Sequence, residues 1–166
     1  MEYKRFMAIA GAAAEFLAEA IELAIEGVNA GEGGPFGAVV VRDGVVVGRG
    51  HNRVTSTNDP TAHAEIVAIR DACERLGTFQ LSGCDLYASC EPCPMCLAAA
   101  YWSRVDNLFY AACREDASAA GFDDDTIYAE LGLPHEQRSL PMIRLQSPDV
   151  GRPFEAWKNK ADKIEY

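Results

Sequence analysis

Four residues of this chain have the types and spacing of a reaction centre: His63 and Glu65 in a His-Ala-Glu run, and Cys93 and Cys96 in Pro-Cys-Pro-Met-Cys. A Cys-x-x-Cys pair alone serves either a redox dithiol or a metal. On a helix its two thiols share one face, and the unpaired amides of a first turn favour thiolates there. His63 offers a third ligand. A Cys2His set leaves tetrahedral Zn2+ with one open position, the mark of a catalytic rather than a closed structural site. Two thiolates roughly cancel the ionic charge, so a water in that position is less acidified than at an all-histidine site and gains from a neighbouring carboxylate base. Glu65 is that candidate. Taken singly, His63 reads as a helix cap and Glu65 as a first-turn carboxylate stabilised by the helix dipole, but neither reading explains the joint spacing. Cys73, Cys84, Cys90 and Cys113 sit in or beside apolar runs and read as small hydrophobes.

Composition narrows the partners. The 166 residues carry 25 acidic against 15 basic side chains, a net charge of -10, which repels a phosphate backbone and disfavours nucleic acid. The alanine-rich N-terminal stretch is interrupted by Glu15, Glu19, Glu22 and Glu26, so neither a membrane span nor a signal peptide is expected. Free cysteines without an export signal point to a reducing, cytoplasmic setting. With 49% apolar and 24% charged residues, no repeat and no linker, residues 1–166 read as one globular domain.

The elements that must hold the four residues follow from periodicity. Phe6, Ile9, Phe16, Ala20, Ala24 and Val28 predict an amphipathic helix from about Lys4 to Ala30. Strands Phe36–Arg42 and Val45–Gly48 flank Asp43-Gly44, the dipeptide of a type I′ hairpin. Asp59-Pro60 looks like a helix start, and Ile66, Ile69, Cys73 and Leu76 form a stripe ending at Gly77, so a helix begins at or just before His63. A strand over Cys84–Ser89, a helix over Cys93–Trp102 and a strand over Asn107–Ala112 imply a right-handed crossover and a parallel pair. Further on come a short helix near Thr126–Leu131, a strand candidate over Leu140–Gln146, and a last helix opened by Pro153 with Phe154, Trp157, Ala161 and Ile164 on one face up to Tyr166. The predicted architecture is three-layer α/β/α around a mixed five-stranded sheet.

The upstream His-x-Glu with Pro-Cys-x-x-Cys matches the signature of zinc deaminases. The likeness extends further, through His51-Asn52, the run from Asn58 to Glu65, Ser89 to Leu97, Tyr101-Trp102, Ala120-Gly121-Phe122-Asp123-Asp124 and the ending Ala156-Trp157 through Glu165-Tyr166. On these residues the chain resembles the cytidine deaminase-like superfamily, and more closely its bacterial guanine deaminases. The resemblance implies the cytidine deaminase-like fold, one Zn2+ per subunit on His63, Cys93 and Cys96, and hydrolysis of guanine to xanthine and ammonia in purine catabolism. In that chemistry water attacks guanine C2 while Glu65 takes its proton and delivers it to the ring.

Several substrate contacts come with the resemblance, each beside a plainer reading. Asn52 can donate and accept toward a guanine N7/O6 edge, or serve as a strand-end turn. Asp124 can accept from the guanine amine and assist its departure, or cap the helix that follows. Phe36 and Trp102 can sandwich a flat base, or pack in the core. Ala64, between His63 and Glu65, is implied as a substrate-facing position. Tyr166 is implied to enter the active site of a second subunit, in a homodimer formed by exchange of a C-terminal helix over about 153–166. Guanosine and triazines such as ammeline carry the same amidine and remain open as substrates. A deaminase of tRNA adenosine shares the metal motif but conflicts with the charge of -10. A structural zinc domain with Glu65 as fourth ligand is the non-enzymatic alternative.

Overall fold

The computed structural model describes residues 2–122 and 124–165, with side chains from Ala13 onward. It forms two compact units, a body ending at Asp125 and a smaller C-terminal unit beginning at Thr126. Helix α1 (Glu2–Asn29) leads to strands β1 (Gly37–Arg42) and β2 (Val45–His51) and a single-turn helix α2 (Val54–Thr57). Then follow α3 (Ala64–Leu76), β3 (Cys84–Cys90), α4 (Pro94–Ser103), β4 (Asn107–Ala112) and α5 (Arg114–Ala119). Helix α6 (Asp125–Leu131), a 3-10 turn (His135–Gln137) and α7 (Arg152–Asn159) complete the order.

The sheet order is β2-β1-β3-β4, with β1 antiparallel to both neighbours and β3 parallel to β4 across the predicted crossover. Strand β1 is apolar because both of its faces are covered. Ala38 and Val40 pack with Leu81, Leu86 and the alanines of α3. Val39 and Val41 turn the other way, onto Tyr87 and onto Phe16 and Leu17 of α1. Helices therefore cover both faces, as the three-layer reading requires. The β1–β2 hairpin closes through Asp43 and Gly44 at φ 51° and 76°, both in the left-handed region of a type I′ turn.

Strand β2 and α3 approach so closely that only the smallest side chains fit. A Cβ at Gly48 would lie 2.4 Å from the Ala68 carbonyl oxygen, and one at Gly50 would lie 2.3 Å from that of Ala64. Ala64, Ala68 and Ala72, at four-residue spacing and fully buried, face these glycines as one seam. The seam holds the start of α3, and with it His63 and Glu65, against the sheet.

Four expectations need correction. The sheet has four strands among the described residues, not five. Residues 140–146 form no strand, because no neighbouring strand meets their backbone groups, and Leu140, Ile143 and Leu145 are 76%, 80% and 83% exposed. The last helix ends at Asn159, with Lys160 already extended (φ -71°, ψ 113°). Ala161 and Ile164 thus lie beyond it, and the helical stripe reduces to Phe154 and Trp157; Tyr166 lies outside the described residues. Asp59-Pro60 forms a turn in which Asp59 accepts from the Thr61 amide, so α3 starts later, at Ala64. Helices α2 and α5 were not predicted, and no described helix is long and apolar enough to cross a membrane.

Candidate active site

All the groups of interest gather at one end of the sheet, where β1 begins and β2 and β3 end. Gly34 and Phe36 precede β1, Asn52 follows β2, and Glu91 and Cys93 follow β3. His63 is the N-cap of α3 and Cys93 the N-cap of α4, with Pro94 in the first turn, where its missing N–H is no loss. Cys96 lies one turn on and is fully buried. Two helix starts thus converge on one point.

The His63 Nδ1 atom is 3.5 Å from Cys93 Sγ and 3.6 Å from Cys96 Sγ, and the three ligand atoms all lie within 4.8 Å of one another. Zn–S and Zn–N bonds of tetrahedral zinc place sulfur and nitrogen about 3.6 Å apart. The donor set therefore fits a tetrahedral zinc ion. Hydrogen bonding from Cys96, with further help from His63, holds the Cys93 thiol down at about 4, while the bond to Cys93 and burial raise Cys96. Metal binding requires both sulfurs as thiolates and therefore releases protons. His63 is raised chiefly by its bond to Cys93. Burial, by contrast, pushes Cys90 up to about 11 and raises Cys73 and Cys84, so these stay thiols.

Glu65 lies in the first turn of α3, only 7% exposed, and desolvation raises its carboxyl above the ordinary range. A carboxylate at this depth both takes and returns protons more readily near neutrality than an exposed one. It borders a cavity of 270 Å³ that is also lined by Asn52, His63, Cys93, Phe36, Phe122 and Asp124. That volume lies just under the range of about 300–1,000 Å³ for drug-sized ligands, which suits a small planar molecule. The rings of Phe36 and Phe122 meet edge to face at 4.8 Å. Asn52 is buried, and its Oδ1 accepts from the Gly34 and Val54 amides, both at 3.2 Å. Its side-chain NH2 is consequently the group left for a ligand.

The family model for the cytidine and deoxycytidylate deaminase zinc-binding region matches residues 11–112. The chain belongs to this deaminase family. It is 56% identical to the guanine deaminase of Bacillus subtilis over 151 residues, 91% of this chain and 97% of that protein. The crystal structure of that enzyme superposes with a TM-score of 0.89 over 92% of this chain and 97% of that one. A solved guanine deaminase from Nitrosomonas europaea is 38% identical with a TM-score of 0.63, over 66% of this chain and 63% of that one. The tRNA-specific adenosine deaminase of Aquifex aeolicus is 46% identical over 78 residues only, 47% of this chain and 52% of that protein.

In this deaminase, Asn52, His63, Glu65, Cys93, Phe36 and Asp124 line one cavity, and Cys96 completes the cluster beside it. Asp124 directly precedes α6 and lines the cavity. Ala64 is buried in the seam against β2 rather than lining the cavity. Trp102, on the last turn of α4, is 65% exposed and lies outside the cavity lining of its own chain. Phe122 and Glu91 are lining residues that sequence reasoning did not single out. The Gly-Phe-Asp-Asp run held the signal for Phe122, and position two residues before Cys93 held it for Glu91.

Proposed function

We propose that the protein is a zinc-dependent guanine deaminase that hydrolyses guanine to xanthine and ammonia. The observation that carries the reading is the pairing of a Cys2His cluster with buried Glu65 in one small cavity, in a chain homologous to guanine deaminase over nearly its full length. Zinc held by His63, Cys93 and Cys96 supplies Lewis acidity that makes water a competent nucleophile at neutral pH. Glu65 takes the proton of the attacking water and returns it to the purine ring as the new C2–O bond forms. The bond from C2 to the exocyclic amine then breaks as the water's second proton passes from the new C2 hydroxyl to the amine with the help of Asp124, and the amine leaves as ammonia. Asn52 donates its NH2 to the O6/N7 edge, and Phe36 with Phe122 flanks the flat ring.

Ammonia release from guanine, guanosine, adenine, cytosine, ammeline and tRNA adenosine by the zinc-loaded protein tests this directly. Guanine should be fastest. Release from tRNA adenosine or cytosine with none from guanine would overturn the assignment, and the net charge of -10 argues against a polyanionic substrate.

The same reading extends to assembly. The enzyme works as a homodimer in which the C-terminal segment is exchanged and Tyr166, with Trp102 as a further aromatic surface, completes the partner's pocket. Two surfaces support it. In the body, a 470 Å³ groove lined by Ile21, Ile25, Val28, Ala117 and Ala120 shares the Phe36–Phe122 wall of the site. In the C-terminal unit, Phe154 is 66% and Ile164 67% exposed. Six free cysteines among the described residues suit a reducing, cytoplasmic setting and a place in purine catabolism.

A further inference from the structure

The chain meets Asn52 through two consecutive glycines. A Cβ at Gly33 would lie 2.2 Å from the Asn52 carbonyl oxygen, so no larger residue allows the Gly34 amide to reach Oδ1. Glycine backbone does not hold itself in place, because it has the widest conformational freedom of any residue. Something outside the pair has to fix it. The residue immediately before the pair is Glu32, and it is tied to the strand-end segment of Asn52 by three bonds. Its carboxylate is bonded to His51 Nε2, next to Asn52 in the chain. Its carbonyl oxygen accepts from Thr55 Oγ1 at 3.0 Å and from the Ser56 amide at 3.1 Å. The His51 ring in turn packs on the end of α1, where a Cβ at Gly27 would lie 2.8 Å from it.

We propose that Glu32 and His51 form a clamp that fixes the orientation of the Asn52 amide and thereby makes the site select purines with a hydrogen-bond acceptor at position 6. This rests on the guanine reading of the cavity. With Oδ1 held by the Gly34 and Val54 amides, Asn52 presents only its NH2 to the ligand. Turning the amide over would set its NH2 against two N–H donors and lose both bonds. A 6-oxo purine matches a fixed donor, and a 6-amino purine opposes it. Loss of the carboxylate–imidazole bond lets the Gly33-Gly34 turn drift, removes the Gly34 bond and leaves the amide held by Val54 alone. Neither Glu32 nor His51 lines the cavity, so both are positioning residues rather than catalytic ones.

The test compares the zinc-loaded parent with Glu32→Ala, Glu32→Gln and His51→Phe, the last keeping a ring against Gly27 without the nitrogen that meets Glu32. Steady-state kinetics on guanine and 2,6-diaminopurine give turnover, and calorimetric titration with xanthine and isoguanine gives 6-oxo against 6-amino binding without any reaction. Glu32→Ala and His51→Phe should hold zinc, raise KM for guanine by about five-fold, leave kcat within about two-fold, and narrow the xanthine-over-isoguanine preference by about five-fold, the scale of one lost hydrogen bond. Glu32→Gln, which still accepts a bond from His51, should stay close to the parent. An unchanged preference in both Glu32→Ala and His51→Phe, or an equal fall in kcat for both purines at constant KM, would overturn the clamp while leaving the guanine reading intact. A parent that binds neither 6-oxo purine and does not turn over guanine would overturn both.

Discussion

The body and the C-terminal unit use apolar residues in opposite ways. In the body, alternation along β1 sends Val39 and Val40 to two different packed faces, and both are fully buried. From Thr126 on, no described residue is buried, although Leu131, Leu140, Met142, Ile143, Leu145, Val150 and Phe154 are all more than half exposed. Exposed apolar area at about 25 cal/mol per Å² is a standing drive toward burial against some other surface. The body therefore carries its own core and holds the reacting groups, while the C-terminal unit carries a surface whose burial the proposed exchange supplies. Damage to the first should strike metal and stability, and damage to the second should strike assembly and turnover alone.

The largest expected effects fall in the body. Cys96→Ala should abolish both metal and turnover, read as zinc content falling from about one ion per chain to none. Glu65→Gln should separate the two, keeping zinc while turnover falls by about 100- to 10,000-fold; near-normal turnover in a zinc-replete variant would reassign the base. In the C-terminal unit, removal of residues 163–166 should leave the melting temperature and zinc unchanged and reduce guanine turnover by about ten-fold or more. Co-refolding that truncation with Glu65→Gln should restore activity, since a hybrid dimer holds one site with both Glu65 and a donated Tyr166. A truncation that instead lowers the melting temperature of the body would break the contrast.

Smaller effects sharpen it. Gly48→Ala should destabilise the body by about 1–3 kcal/mol in urea unfolding, because its methyl group meets the Ala68 carbonyl. Ile143→Ser should change unfolding by less than about 0.5 kcal/mol, as expected of an exposed position, while shifting sedimentation toward the monomer.

The same contrast marks how far the sequence was legible. His63, Cys93 and Cys96 could be read because each ligand stands at a helix start, where local signals are strongest: a proline, a cap, an abrupt change of period. The type I′ turn at Asp43-Gly44 and the parallel crossover from Cys84 to Ala112 were legible for the same reason. The strand proposed over Leu140–Gln146 failed because an apolar run states only that it wants burial, not whether another strand will meet its amides. The last helix was overextended because Ala161 and Ile164 keep the helical spacing of Phe154 and Trp157 while the backbone leaves the helix at Lys160. Phe122 escaped notice because its role depends on a ring 86 positions earlier, Phe36, that no local pattern connects to it.

The glycine–alanine seam between β2 and α3 also sets what variation the protein tolerates. Gly48, Gly50, Ala64, Ala68 and Ala72 touch no reacting atom, yet each added methyl group pushes α3 and carries His63 and Glu65 with it. In a saturation library selected for activity, these five positions should be as depleted of variants as the metal ligands. A census of tolerated substitutions would then draw two footprints of similar depth, one chemical and one purely geometric, joined through the first turn of a single helix.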